Sequence, residues 1–267
     1  MIKMVTIDLD GTLFDNHKVV SKENLAAIKR ARQKGCYVVI ATGRPYDGVK
    51  NLLDELQLNT ENDYVITYNG GKILNAKTKE VIFSSTIDGI FVKELYQESL
   101  KQNVDIHAFR ANEELITPKH NPYTDVEATI NHITDNLFDF NNILDSDLFI
   151  KAMLVSSDEN VSRITPIYKE YYDGKYQVLR SAKIFLEFLN KDTNKGKALE
   201  YLAGYLNIKL SETMAIGDAD NDISMIKTSG IGVAMANSFK EVLEVADFVT
   251  KSNLESGVAY AMNKFIE

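Results

Sequence analysis

The chain has 267 residues, 45% of them hydrophobic, which is enough for one large domain or two modest ones around a sizeable core. With 30 Lys and Arg against 38 Asp and Glu, the net charge is -8, and a broad nucleic-acid or anionic-membrane surface is disfavoured. The single cysteine, Cys36, excludes an intrachain disulfide and a thiolate metal cluster, and lies in an apolar run that reads as core. His17, His107, His120 and His132 have neither HxH nor HExxH spacing, so zinc is disfavoured and hard-metal chemistry on oxygen ligands is the better expectation.

In chain order, "KMVTIDL" predicts a buried strand that ends in two carboxylates, Asp8 and Asp10. Side chains alternate along a strand, so these two emerge on one side and repel unless something positive stands between them. "SKENLAAIKRARQKG" follows as a helix with Ser21 as N-cap and Gly35 as its stop, and "CYVVIAT" is the next strand. Pro45 opens a second helix over "PYDGVKNLLDEL", and "DYVITYNGG" returns to a strand and a turn. The pattern is βαβαβ. It implies a mostly parallel sheet with helices on both faces, and ligands outside the carboxyl ends of the strands.

From about Ser84 to Asn190 the texture changes to an α+β insertion. A helix over "DGIFVKELYQESLKQN" leads into a hairpin-like pair, "VDIHAF" and "EELIT"; then come "DLFIKAMLVS", a helix around "ENVSRITPIYKEYY", and the strand pair "KYQVLRSA" and "IFLEFLN". The alternation then resumes: helix "KGKALEYLAGYLN", strand "TMAIG", helix "DNDISMIKTSG", strand "IGVAM", helix "SFKEVLEVA", strand "DFVT" and a last helix. The expected division is 1–83 and 191–267 for the parallel domain and 84–190 for the insertion. The chain enters its first strand without a basic leader, and no span of about 20 apolar residues occurs, so a cytoplasmic protein is expected.

Four polar clusters fall at strand or helix ends of the parallel domain: Asp8 and Asp10; Thr42, Gly43 and Arg44; Asn194 and Lys195; Asp218, Asn221 and Asp222. Asp218 and Asp222 stand four apart at a helix start, where like charges repel and the helix dipole only partly offsets the cost. Four carboxylates in one crevice call for a cation, and Mg²⁺ suits a site shared with phosphate oxygens. Lys195 at a helix N-terminus faces the positive end of the dipole, so an anion selects it rather than helix energetics. The Thr42 hydroxyl and the Gly43 N–H suit the same anion. Together these describe a phosphate cradle, and with no GxxxxGK[ST] run it is not a Walker loop. One carboxylate is then available as a nucleophile and another as proton carrier.

These residues resemble the haloacid-dehalogenase superfamily of aspartate-nucleophile phosphatases. "DLDGT", "ATGR", "NKGKAL" and "GDADND" look like its four motifs in the family's order. The likeness runs across the whole chain to the Cof-type, subfamily IIB sugar phosphatases, through "YNGG", "AMANS", "VTKSNLESGVA" and "KYQVLRSAKIFLEFLNKDTNKG". Gly71, where alanine is more usual, and Ala219-Asp220 depart from the pattern without removing a catalytic group.

The resemblance implies a Rossmann-like α/β core with an inserted α+β cap of type C2B between the second and third motifs, closing over the crevice. It makes Asp8 the nucleophile and Asp10 the general acid and base, with Lys195 assisting. Mg²⁺ would be held by Asp8, the Asp10 carbonyl and Asp218, with Asp222 in support; Leu9, Thr42, Gly43, Lys195 and Asn221 would hold phosphate. The implied substrate is a small phosphorylated metabolite, a sugar phosphate before others, acted on by a monomer or homodimer with no nucleic-acid or membrane partner. His107, Arg110, Lys119, His120, Tyr123 and Lys183 are polar candidates within the insertion. A phosphomutase using the same nucleophile and a catalytically silent phospho-ligand sensor stay open as alternatives.

Overall fold

A computed structural model describes residues 1–266. Its first part runs β1 (Met4–Ile7), α1 (Lys22–Gln33), β2 (Tyr37–Ala41), α2 (Lys50–Glu55), β3 (Tyr64–Thr67), β4 (Lys72–Asn75) and β5 (Val81–Ser84). The middle comprises β6 (Ile87–Asp88), α3 (Gly89–Gln102), β7 (Asp105–Arg110), β8 (Leu115–Thr117), α4 (Pro122–Asn131), β9 (Asp135–Leu137), β10 (Leu148–Val155), α5 (Asp158–Tyr171), β11 (Tyr176–Ala182) and β12 (Phe185–Asn190). The chain then continues through α6 (Lys195–Tyr205), β13 (Thr213–Gly217), α7 (Ile223–Thr228), β14 (Ile231–Ala234), α8 (Lys240–Leu243), β15 (Phe248–Val249) and α9 (Gly257–Phe265). Two units form among the described residues: 1–43, 50–83 and the segment from 194 onward make one, and 44–49 with 84–193 make the other. Among the described residues no helix is long and apolar enough to cross a membrane.

The first unit is built on a sheet ordered β15-β14-β13-β1-β2-β3-β4-β5. The β1 strand, buried at all four positions, lies parallel to β2 on one side and to β13 on the other. A strand covered on both faces in this way reads as a continuous apolar run, as "MVTI" does. Ile7 is level with Ile40 of β2 and Ile216 of β13, so the residues just beyond all three strands come out at one sheet edge. One layer of the core joins Met4, Val39, Ile66 and Ala215 of the sheet to Ala198, Leu199 and Leu202 of α6.

Two local readings of the sequence change. The "PYDGVKNLLDEL" helix is split: Tyr46–Gly48 is a 3-10 turn, Val49 leaves helical geometry at φ -130°, and only Lys50–Glu55 is α-helical. Gly48 lets this turn lie close against α4 within the second unit, since a Cβ there would meet the Asn131 side-chain oxygen at 2.7 Å. The strand after "YNGG" is also more than a turn, because β4 folds back antiparallel on β3 and β5 extends the sheet.

The second unit has a sheet ordered β11-β12-β10-β7-β8-β9, with β6 also on β10. Phe91, Val92 and Leu95 of α3 and Val161, Ile164 and Tyr168 of α5 pack with sheet residues such as Phe149, Leu154 and Phe188. Lys151 is an unexpected feature of this unit. Its ammonium is buried between Glu127, at 3.6 Å, and Glu187, at 3.3 Å, and stands 5.1 Å over the Phe109 ring. Burial alone would lower its pKa, but the two carboxylates raise it further than burial depresses it. His107 is fully buried nearby, bonded to Thr124 at 3.0 Å and held neutral by burial, with its pKa lowered to about 3.

Candidate active site

Everything that follows in this site belongs to the first unit. Asp8 is the first residue beyond β1; its N–H donates to the Ile216 carbonyl at 3.0 Å, extending the ladder with β13 and turning the carboxylate out at the sheet edge. Thr42 follows β2 in the same way, its N–H on the Ile66 carbonyl at 2.9 Å. Asp218 follows β13, and Lys195 is the first residue of α6, whose N-cap Asn194 accepts from the Lys197 N–H at 2.8 Å. Parallel strand order therefore converts residues far apart in sequence into neighbours. This is the crevice expected where a chain winds to opposite sides of its first strand.

At its centre the Lys195 ammonium, fully buried, donates to Asp8 Oδ1 at 2.5 Å and to Asp222 Oδ1 at 2.7 Å. The second Asp222 oxygen accepts from the N–H groups of Asp218 (3.0 Å) and Ala219 (3.1 Å). Asp218 accepts a 2.7 Å bond from the Thr12 hydroxyl. Gly11 makes room for this arrangement: at φ +90° its backbone favours glycine, and a Cβ would lie 2.3 Å from Asp218 Oδ2.

Asp8, Asp218 and Asp222 each bring a carboxylate oxygen within 4.8 Å of the others, all three buried. Burial, then the Asp222 charge, raise the Asp8 pKa to about 8 despite Lys195. Burial raises Asp218 to about 6, with Thr12 opposing. Lys195 is held above its ordinary range because Asp222 and Asp8 outweigh desolvation. A buried group of oxygen donors that resists ionising together has the chemistry of a divalent-cation site: hard ligands, with more negative charge than one lysine neutralises.

Asp10 lies outside that trio and is exposed, its Oδ1 accepting from the Lys18 ammonium. Asn221 donates to Asn69 Oδ1 at 3.0 Å, and Asn69 in turn donates its N–H to the Thr42 carbonyl at 2.9 Å, so the second and fourth clusters are tied through the "YNGG" turn. Leu9 is fully buried, Thr42 nearly so, and Gly43 half-buried. Sequence reasoning did not single out Thr12, Asn69 or Lys18 as site residues. The left-handed backbone of Asn69, φ +56°, has a local signal in the Asn-Gly pair that follows Tyr68.

A family model described as haloacid dehalogenase-like hydrolase matches residues 5–262. The Bacillus subtilis (strain 168) protein named "Putative phosphatase YxeH" is 39% identical over 269 residues, covering 100% of this chain and 99% of that protein. The crystal structure of a haloacid dehalogenase-like hydrolase from Bacteroides thetaiotaomicron is similar at a TM-score of 0.87 and 31% identity, over 99% of each chain. The structure of the subclass IIB sugar phosphatase BT4131 is similar at a TM-score of 0.80 and 28% identity, over 98% of each chain.

Proposed function

The chain belongs to the haloacid dehalogenase-like hydrolase family, and from that premise we propose that it hydrolyses phosphoric monoesters of small metabolites, sugar phosphates first among them. The observation that carries this reading is the Asp8 carboxylate held 2.5 Å from a fully buried Lys195 ammonium, with Asp218 and Asp222 completing a cation-sized group of oxygens. The sugar-phosphate class is supported by the likeness to BT4131.

The Asp8 carboxylate attacks phosphorus, and the bond to the leaving oxygen breaks as Asp10 delivers a proton to it. Asp10 then takes a proton from water, whose oxygen attacks the aspartyl-phosphate at phosphorus. The P–O bond to Asp8 breaks, inorganic phosphate leaves and both carboxyl groups return to their starting states. Lys195 offsets charge on the transferring group; the Thr42 hydroxyl, the Gly43 and Leu9 N–H groups and the Asn221 amide orient phosphate oxygens. Asp222 is a positioning residue through its bonds to Lys195 and the Asp218–Ala219 backbone.

The buried oxygens of Asp8, Asp218 and Asp222 fit Mg²⁺; Asp8, the Asp10 carbonyl and Asp218 would hold it, with Asp222 in support. When bound, Mg²⁺ supplies neutralisation of negative charge on the transferring phosphoryl group. The test is phosphate release from a panel of sugar phosphates, a polyol phosphate, a nucleotide and p-nitrophenyl phosphate, with and without Mg²⁺, for wild type and Asp8→Asn. Mg²⁺-dependent release that Asp8→Asn abolishes is the expected result. Undiminished turnover by Asp8→Asn, or silence of the folded, Mg²⁺-supplied wild type on every ester, would overturn the reading.

A further inference from the structure

Lys18 stands in a hydrogen-bonded turn that follows the segment carrying Asp10. Asp15 Oδ1 accepts from the N–H groups of His17 (2.8 Å) and Val19 (2.9 Å). The Asp15 N–H donates to the Val19 carbonyl at 3.0 Å, and the Lys18 N–H donates to the Asp15 carbonyl at 3.1 Å. Single β-bridges pair Asp10 with Phe14 and Phe14 with Val20, so the turn is fastened back onto the segment that carries Asp10. At its tip Lys18 has φ +62°, a conformation in which glycine or asparagine costs less than a residue with a long side chain. Backbone geometry therefore does not select lysine here. The ammonium is what the position supplies, and it bonds Asp10 Oδ1.

We infer that Lys18 is a positioning residue for proton transfer, holding Asp10 by Oδ1 so that the other carboxyl oxygen carries the proton and faces the leaving oxygen. The inference rests on the reading of Asp10 as proton carrier. An ion pair this exposed, with side chains 59% and 43% accessible, adds little stability. Its consequence is orientation, where small misplacements of a catalytic group are costly.

Leaving-group dependence separates this role from a structural one. An alkoxide needs a proton as it departs, whereas p-nitrophenolate leaves without one. The value of kcat/KM reports events through phosphoryl transfer to Asp8, before water attack. It is to be measured for Lys18→Met, Lys18→Arg and Asp10→Asn on p-nitrophenyl phosphate and on the best alkyl phosphate of the panel. Lys18→Met is expected to lower kcat/KM about tenfold on the alkyl ester and less than threefold on the aryl ester, a fraction of the 10²–10⁴-fold that general acid catalysis supplies. Lys18→Arg restores most of the loss. Equal effects of Lys18→Met on both esters, or no effect on either, while Asp10→Asn discriminates strongly, would overturn the inference and leave the role of Asp10 standing. Failure of Asp10→Asn itself to discriminate would remove the premise, and the inference with it.

Discussion

Replacing Lys195 by methionine keeps the volume and removes the charge at the centre of the site. In the metal-free protein burial pushes the Asp8 pKa up and disfavours its charge, so the ammonium is balanced there chiefly by Asp222. Breaking a buried pair by deleting one partner costs about 3–5 kcal/mol. The Asp222 carboxylate keeps the Asp218 and Ala219 N–H donors, which places the expected loss near the lower end, about 3 kcal/mol.

The sign with pH follows. Asp8 has a folded pKa raised above its unfolded value of 3.8, so its burial lowers stability as pH rises from 3.8 through the folded value. Without Lys195 that folded value moves higher still. Asp218, which Lys195 also holds down, moves up with it, so the variant's deficit grows as pH rises from 5.5 to 9. Urea denaturation in EDTA at pH 5.5, 7 and 9 reads this directly. Activity with Mg²⁺ at pH 7 falls about 10²–10³-fold, the usual loss when one preorganised charge-stabilising group is deleted. A variant within threefold of wild-type activity, or one whose stability deficit vanishes at every pH, would refute the electrostatic account of the site.

The other expectations concern the same charges and their counterparts in the second unit. Gly11→Ala puts a Cβ 2.3 Å from Asp218 Oδ2 at φ +90°; we expect a stability loss of at least about 1–2 kcal/mol from the backbone alone and a more than tenfold fall in activity, and a variant with wild-type melting and turnover would contradict the packing described. Because Asp8 and Asp218 have pKa values of about 8 and about 6 without metal, Mg²⁺ binding should release protons and tighten as pH rises from 5.5 to 8.5. Calorimetry in two buffers of different ionisation enthalpy would expose a flat, proton-neutral binding if this is wrong. At a free Mg²⁺ concentration 100 times the Kd, binding adds about 2.7 kcal/mol of stability, readable as a thermal shift. Lys151→Met leaves Glu127 and Glu187 buried without their cation and should cost about 3–5 kcal/mol in denaturant; adding Glu187→Gln should recover part of it, and a strictly additive double variant would deny the coupling.

How far the sequence could be read depended on whether a residue's reason for being there is local. Asp8, Thr42 and Asp218 follow apolar runs whose periodicity marks strands, with Gly43 after Thr42, Gly217 before Asp218 and Gly11 three residues beyond Asp8, so their place at one sheet edge was legible before any contact was known. Lys195 was legible for the opposite reason, since it violates helix energetics, and a violation without local compensation points to a distant partner. That partner, Asp8, lies 187 residues away in sequence. Lys151 is the same kind of violation, a lone charge inside "LFIKAMLV", yet it reads as noise because its carboxylates arrive from α4 and β12, elements whose faces no periodicity assigns. Lys18 was illegible on different grounds. A charged residue in a polar turn violates nothing, and only its φ of +62° together with the bond to Asp10 shows that the turn presents it. Gly48 in the turn after Pro45 belongs with Lys151, because its small size carries meaning only once Asn131 is known to face it. Residues that break a local rule can thus be flagged from sequence and explained by structure, whereas those that obey every local rule while serving a distant group acquire their role only in three dimensions.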